Sequence, residues 1–267
     1  RFIHTLAPII SIGVAFSTLA VVPVAGETIH LFGREVQMVI ADVNIGILYI
    51  LALTSMGVYG LTLSGWSSNN KYSLLGGLRS SAQMISYELS MGLSVIGVIM
   101  VTGSLQLTEV VQHQAGWMWN MILQPVGFVT FVVAAFAETN RTPFDLPEAE
   151  PELVGGYHTE YSGFKFALFF LAEYANMITA SAVIVTLYLG GWQIPYLELL
   201  NLPSGVAVVL HILAFMVKVG FMLFVFQWVR WTVPRFRYDQ LMDLGWKVML
   251  PIALANVVIT GIVILLI

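Results

Sequence analysis

The chain has 267 residues, of which 58% are hydrophobic and 10% are charged, against about 25% charged residues in an ordinary soluble domain. With a mean hydropathy of +0.86, the chain has too few polar side chains to cover a water-soluble globule, which excludes a soluble enzyme. The absence of cysteine and the net charge of −4 exclude disulfides, thiolate-bound metals and iron–sulfur clusters, and leave a nucleic-acid partner without a basic surface to bind.

Seven segments are long and apolar enough to cross a membrane, for which about 20 residues are needed at 1.5 Å per residue. They lie at about residues 3–25, 43–65, 80–102, 121–138, 163–190, 206–230 and 246–267. Alternating strand patterns of about ten residues are missing, which disfavours an outer-membrane barrel. The predicted fold class is therefore all-α: one membrane domain, residues 1–267, built as a polytopic transmembrane helical bundle.

The cations predict how this bundle is oriented. Nine of them fall in segments that share one side: Arg1, Lys71, Arg79, Arg141, Lys165, Arg230, Arg235, Arg237 and Lys247. Arg34 alone falls on the other side, and Lys218 falls within the sixth span. The positive-inside rule then puts the first side, here called the inner side, in the cytoplasm or matrix, and the C-terminus outside.

Three ionisable residues lie deep within predicted spans: Glu88, Glu173 and Lys218. A charge at mid-membrane costs about 2.5–3.5 kcal/mol on insertion scales, so such residues usually face the bundle interior and mark an ion or proton path. The alternative is a buried ion pair that only fixes helix packing, with Lys218 paired to one glutamate. A polar stripe at helical spacing accompanies Glu88 in the third span: Gln83, Tyr87, Ser90 and Ser94.

The loop between the fourth and fifth spans, residues 139–162, is acidic and begins directly after Glu138. Three prolines, Pro143, Pro147 and Pro151, disfavour a continuous helix here. The loop holds five carboxylates, with Arg141 and His158 as its potential cations: Asp145, Glu148, Glu150, Glu152 and Glu160. A solvated surface, a hard-cation site (although no calcium-loop spacing is present) and a polar funnel to Glu138 and the buried acids are the open interpretations.

A second inner segment, residues 233–240, alternates basic and aromatic side chains around Arg235 and Arg237. That alternation is typical of headgroup anchoring or of protein docking, with anion binding a weaker alternative.

At these segments the sequence resembles a known family. The run from Glu138 to Tyr161, continued to Glu173-Tyr174, closely resembles the H subunit of complex I, the membrane core subunit of proton-pumping NADH:quinone oxidoreductase. The segments 66–73, 83–88 and 234–240 match in the family's order, and the resemblance spans essentially the whole chain. The acidic motif is highly specific and looks most like the respiratory type, rather than the related subunits of membrane-bound hydrogenases or photosynthetic-type complexes.

The resemblance implies a coupling subunit without a redox centre of its own. Quinone is then the substrate, and flavin and iron–sulfur clusters belong to partner subunits. By position in the family's motifs, proton path or coupling residues are Glu88, Glu138 and Glu173, and Lys218 is added to them as the third charge buried in a span. The quinone chamber and coupling loop are matched by Arg141, Asp145, Glu148, Glu150, Glu152, Glu160, Arg235 and Arg237.

The resemblance also implies partners and a location. Quinone-site and iron–sulfur subunits of a peripheral arm would dock on the inner side, with small membrane subunits and antiporter-like subunits alongside in the bilayer. The expected location is the bacterial cytoplasmic membrane, with the mitochondrial inner membrane as the alternative. The family has eight spans, so a chain that begins at Arg1-Phe2 without methionine is expected to be a piece lacking the first span. A freestanding proton-coupled transporter remains a rival, although no internal repeat supports it.

Overall fold

The computed structural model describes residues 2–26, 29–31, 34–36, 38–116, 118–145, 155–195 and 204–266. The helices are α1 Phe2–Leu19, α2 Gly46–Ser67, α3 Lys71–Thr102, α4 Leu107–His113, α5 Asn120–Leu123, α6 Pro125–Glu138, α7 Phe164–Tyr188, α8 Ser204–Thr232, α9 Tyr238–Asp243 and α10 Leu250–Leu266. A π-helical turn, Leu244–Met249, joins α9 to α10, and a 3₁₀ turn spans Gly156–His158. A small antiparallel hairpin, β1 Ile29–Leu31 and β2 Arg34–Val36, pairs Ile29 with Val36.

The predicted polytopic helical bundle is confirmed. Among the described residues, six helical stretches are long and apolar enough to cross a membrane, and α6 is a seventh, shorter apolar helix. Three predicted boundaries were wrong. The first helix ends at Leu19 rather than near residue 25, α3 begins at Lys71 rather than near residue 80, and the last span begins at Tyr238 rather than near residue 246. Hydropathy locates only the apolar part of a helix, and polar turns extend α3 and the last span beyond it.

The start of α3 has a local cause. The Asn70 side chain accepts a hydrogen bond of 3.0 Å from the backbone N–H of Tyr72, which is the geometry of a helix N-cap. The helix then runs unbroken for 32 residues to Gly103, which ends it in the left-handed conformation with φ 71°. Few other residues adopt that φ without strain, so glycine suits this end.

The fourth predicted span is broken in two. Gln124 leaves helical geometry, with φ −133° and ψ 64°, and Pro125 then starts α6. At 14 residues, α6 extends about 21 Å, less than the roughly 30 Å of a hydrocarbon layer. Gln124 occupies the break, and its amide donates to the Gly97 carbonyl at 2.8 Å and to the Thr260 hydroxyl at 3.1 Å.

The bundle has two ends. The end formed by the last turns of α2, α6 and α8 and the first turns of α3, α7 and α9 is called the inner end, because it carries the loops predicted to lie on the inner side. Its orientation in a membrane stays a prediction. At the outer end, the backbone of Ile47 donates to the Leu105 carbonyl at 3.1 Å and so ties α2 to the chain leaving α3.

The long helix α3 lies at the centre and packs against α2, α6 and α10. Its predicted polar stripe faces the interior, since Gln83, Tyr87, Ser90 and Ser94 are all fully buried. The Tyr87 hydroxyl donates to the Leu241 carbonyl at 2.9 Å, and Ser94 accepts at its carbonyl from the Tyr188 hydroxyl at 3.2 Å. Hydrogen bonds of this kind let polar groups be buried without loss of stability.

Two glycines of α3 allow a sharp prediction about this packing. A Cβ on Gly76 would lie 2.8 Å from the Gly156 Cα and from the Tyr157 backbone nitrogen, whereas a Cβ on Gly92 would meet nothing within 4 Å. We expect Gly76→Ala to lower the free energy of unfolding by about 1–3 kcal/mol, because overpacking against backbone cannot relax cheaply. Gly92→Ala should be neutral or stabilising by up to about 1 kcal/mol. Thermal unfolding of the purified protein in detergent compares them; equal midpoints for the two variants would contradict the close approach.

Candidate functional site

Glu138 is the last residue of α6, and its position depends on a neighbouring glutamine. The Gln83 amide on α3 donates to the Ala137 carbonyl at 2.7 Å and to the Phe144 carbonyl at 2.8 Å. The first bond satisfies a carbonyl in the last turn of α6, and the second holds the carbonyl of a residue beyond the helix. The chain that follows α6 is thereby folded back into the bundle, where Phe144 is buried against Tyr87 and Phe236.

Three adjoining cavities share Glu138 as a wall. A polar cavity of about 40 Å³ on the inner side reaches Asn140, Glu173 and Asn176. A narrow lateral gap reaches Glu88. The third cavity, also about 40 Å³, runs toward the outer end between Ile47, Leu107 and Leu187 and is lined mainly by apolar side chains. Cavities of this size can hold a few waters where polar groups line them, so Glu138 lies between a wettable region and a dry one.

Glu173 on α7 forms a buried ion pair. The Arg141 Nε lies 2.6 Å from the Glu173 Oε1, and the two side chains are 9% and 12% exposed. The Arg141 guanidinium also stacks over the ring of Tyr174 at 4.5 Å. Because Arg141 belongs to the acidic loop and Glu173 to a spanning helix, this pair links the loop to the membrane-embedded acids.

Glu88 on α3 is bound from α2. The Ser55 hydroxyl hydrogen-bonds the Glu88 Oε1, and the neighbouring Thr54 lines the lateral gap beside Glu138. Both hydroxyls also lie 3.0 Å from the Leu51 carbonyl of the preceding turn. Neither Thr54 nor Ser55 was among the residues predicted from the sequence, because hydroxyls in an apolar helix give no signal until the facing helix is known.

The described parts of the acidic loop are fastened at the inner end. Asp145 pairs with Arg235 at 2.7 Å, and the backbone of Phe236 donates to the Pro143 carbonyl at 3.2 Å. The first half of the loop is therefore tied to the segment between α8 and α9. Arg237 lies beside Asp239 at 3.6 Å and is 79% exposed, so it faces away from this contact.

The far half of the loop is fastened to α2 and α3. Glu160 accepts from the Asn70 amide at 2.8 Å, and the Ser73 hydroxyl donates to the Gly156 carbonyl at 3.1 Å. The Tyr161 hydroxyl lies 3.2 Å from the Ser67 hydroxyl, and burial raises the pKa of Tyr161, so it stays protonated at neutral pH. Three predicted residues of this loop lie outside the described residues: Glu148, Glu150 and Glu152.

The structure does not bring Lys218 to the glutamates. Its ammonium donates to the carbonyls of Leu189, Gly191 and Gln193 at 2.8, 3.0 and 2.7 Å, and it lies 4.4 Å from the centre of the Trp119 ring. Leu189 follows Glu173 by 16 residues, or about 24 Å along α7. The alternative of an ion pair between Lys218 and a glutamate is thus excluded for the described residues. A helix C-terminus attracts a cation as a carboxylate would.

The geometry therefore brings three predicted acids, Glu88, Glu138 and Glu173, around one set of cavities, with Arg141 beside them. A family model described as NADH dehydrogenase matches residues 1–261 of the chain. The chain belongs to the NADH dehydrogenase family. Since that match covers nearly the whole chain, the family assignment applies to the helices and the inner loops alike.

Named relatives within the family agree with the match. The chain is 52% identical to an H subunit of NADH-quinone oxidoreductase of Cytophaga hutchinsonii, over 100% of this chain and 78% of the relative. It is 53% identical to the H subunit of the same enzyme of Salinibacter ruber, over 97% of this chain and 75% of the relative. It is 55% identical to NADH-quinone oxidoreductase subunit 8 of Rhodothermus marinus, over 97% of this chain and 76% of the relative. The resemblance to the H subunit of complex I, drawn from the acidic motif, is confirmed.

The Arg141–Glu173 pair gives the first prediction about the site. Arg141→Gln should lower the free energy of unfolding by about 3–5 kcal/mol, because it leaves a buried carboxylate without its partner. The exposed Arg237–Asp239 pair supplies the matched control, and Arg237→Gln should cost about 0–1 kcal/mol. Thermal unfolding of the purified assembly measures both, and the double variant Arg141→Gln/Glu173→Gln should recover part of the loss. A double variant that is no more stable than Arg141→Gln would contradict the pairing.

Lys218 gives a second prediction. Lys218→Met keeps the length of the side chain but removes the donors to three carbonyls, and should lower stability by at least about 2 kcal/mol, since each buried carbonyl left unpaired costs about 1–3 kcal/mol. The exposed Lys247, which lies 2.7 Å from Asp243 one turn away, is the control, and Lys247→Met should cost no more than about 0.5 kcal/mol. Equal unfolding midpoints for the two variants would show that Lys218 does not fasten the end of α7.

Proposed function

We propose that this chain is the membrane subunit of a proton-translocating NADH:quinone oxidoreductase that couples quinone reduction to proton movement through buried acids. The observation that carries the proposal is the shared position of Glu138. It walls the polar cavity that reaches Glu173 and also the gap that reaches Glu88. A change of charge on the loop side would therefore act on all three acids at short range.

The inner loops supply the other half of the proposal. Arg141, Asp145, Glu160, Arg235 and Arg237 would line the quinone chamber or the surface that docks a peripheral arm, together with the loop residues Glu148, Glu150 and Glu152. Asp145 and Arg235 form one contact between two of these loops, so a partner or quinone that moves one loop would move the other. Quinone is the substrate in this proposal, and the redox cofactors lie in partner subunits.

The coupling step follows from the ion pair. Arg141 belongs to the loop and holds Glu173 in an ion pair at 2.6 Å. If quinone reduction displaces the loop, Arg141 moves and the free energy of a charged Glu173 rises, because a buried carboxylate depends on its partner. Proton uptake by the three acids then becomes linked to the state of the quinone, and linkage of this kind is reciprocal at equilibrium.

The wider assignment rests on the relatives, which are named as NADH-quinone oxidoreductase subunits. Partners in this proposal are the quinone-site and iron–sulfur subunits on the inner side and the small and antiporter-like subunits within a bacterial cytoplasmic membrane. Purification in mild detergent separates this function from a freestanding transporter: the chain should copurify with NADH:quinone oxidoreductase activity. A chain that purifies alone and transports protons by itself would overturn the proposal.

Glutamine variants test the proton path in the assembled complex. Glu138→Gln and Glu88→Gln remove the titrating group but keep its shape, and each should lower NADH:quinone turnover and proton pumping together by about tenfold or more, the size of effect that a positioned proton-transfer group supplies. Glu109→Gln is the matched control, because Glu109 is exposed at the outer end. Wild-type turnover and pumping in both test variants would overturn the role of these acids.

A further inference from the structure

The helix α2 presents two adjacent hydroxyls to acids on two different helices. Thr54 lies beside Glu138 of α6 in the lateral gap, and Ser55 hydrogen-bonds Glu88 of α3. Thr54, Glu88 and Glu138 line the same lateral gap together with Val58 and Met84. The two acids that the proposed function requires are thus connected through consecutive residues of a single helix turn.

Counting hydrogens shows that these bonds have a direction. A hydroxyl carries one hydrogen, so it donates one bond at a time and otherwise accepts. Thr54 and Ser55 can each donate to a charged carboxylate. Each can instead donate to the Leu51 carbonyl at 3.0 Å, and then it accepts a bond from a protonated carboxyl. Both arrangements leave the hydroxyl satisfied, so the protonation state of the acid sets which one is adopted.

The Leu51 carbonyl joins the two hydroxyls. Within the helix it already accepts the backbone N–H of residue 55, the bond that defines an α-helix. A carbonyl oxygen has two lone pairs, so one remains for two hydroxyls that both lie within reach. When one hydroxyl takes that position, the other is released to donate to its glutamate.

We propose that Thr54, Ser55 and the Leu51 carbonyl form a hydrogen-bond switch that couples the protonation of Glu138 to that of Glu88. The inference rests on the proposed function and assigns positioning residues to it. The switch disfavours the state in which both acids are neutral, because only one of the two hydroxyls can then donate to the Leu51 carbonyl. No proton passes through the carbonyl; what changes is the direction of the two hydroxyl bonds. Proton movement between the acids thereby becomes correlated without direct contact between the carboxyl groups.

Other charged groups lie near this switch and affect the protonation of Glu88 and Glu138. Glu88 belongs to α3 and Glu138 to α6, and Glu173 of α7, which is paired with Arg141 of the loop, lines the polar cavity. From α1, the polar side chains that line the same cavities are Ser11 and Thr18, which are uncharged. The pair Arg141–Glu173 therefore supplies the external charge to which the switch responds.

Hydroxyl deletions in the assembled complex test the proposal. Thr54→Val and Ser55→Ala should each lower the rate of proton-coupled turnover by about fivefold, the factor set by one ordinary hydrogen bond, and should change the shape of the pH–rate profile. The double variant should lose no more of the turnover rate than either single variant, because the two hydroxyls act through one carbonyl. Thr54→Ser and Ser55→Thr keep the hydroxyls and should restore the wild-type profile.

The matched control lies two turns further along the same helix. Thr62 donates to the Val58 carbonyl at 2.9 Å, so Thr62→Val removes a helix-bonded hydroxyl away from the lateral gap and should leave the pH profile unchanged. Redox-induced infrared difference spectra report the protonated carboxyl groups directly, so they separate the switch from a general loss of stability. The protonated-carboxyl bands should shift in Thr54→Val and Ser55→Ala and stay in place in Thr62→Val.

Two results would overturn the switch. One is a wild-type pH profile and infrared spectrum in Thr54→Val and Ser55→Ala, and the other is additive losses in the double variant. These results differ from a failure of the proposed function, which would appear as wild-type pumping in Glu138→Gln and Glu88→Gln. If those glutamine variants fail while the hydroxyl variants behave as wild type, the acids carry the coupling and the switch does not exist.

Discussion

The constraint on which the site depends is that α6 ends inside the bundle. A helix end leaves four carbonyls without partners, and in an apolar environment each must be satisfied. The Gln83 amide on α3 satisfies one of them, at Ala137, and also holds the Phe144 carbonyl of the chain beyond the helix. Because the chain turns there rather than continuing to the inner surface, the carboxyl of Glu138 comes to lie among other helices, and the start of the acidic loop lies deep enough for Arg141 to reach Glu173.

The acids inside this bundle have two kinds of surroundings. Glu173 has an ionic partner of opposite sign, while Glu88 and Glu138 lie beside hydroxyls. An ion pair fixes a charge, since loss of either partner is costly. A hydroxyl can bond a charged or a neutral carboxyl, because it can donate or accept. In the proposed function, Glu88 and Glu138 are therefore the acids suited to change protonation, and Glu173 is the one suited to sense the loop.

Sequence reasoning located the apolar helices, the buried acids and the polar face of α3, because each of these is a pattern within one segment. It did not locate Thr54 and Ser55, whose importance depends on which helix lies opposite. It also misplaced the partner of Lys218, since backbone carbonyls at a helix end attract a cation but leave no mark in the sequence. The break at Gln124 was missed for a similar reason: an amide that bonds Gly97 and Thr260 is recognisable only after the fold is known.

The dry cavity beyond Glu138 has an electrical consequence. From Glu138 toward the outer end the lining is mainly apolar, with Ile47, Leu107 and Leu187 at its far side, so an ion would meet a barrier of low polarisability there. A transmembrane voltage falls mainly across such insulating layers, and moving a charge through it takes about 2.3 kcal/mol per 100 mV. In the proposed function, proton shifts among the three acids would stay on the inner side of this layer. This chain would then perform its proton exchange at little cost in voltage, and the work against the membrane potential would fall to whatever lies alongside it.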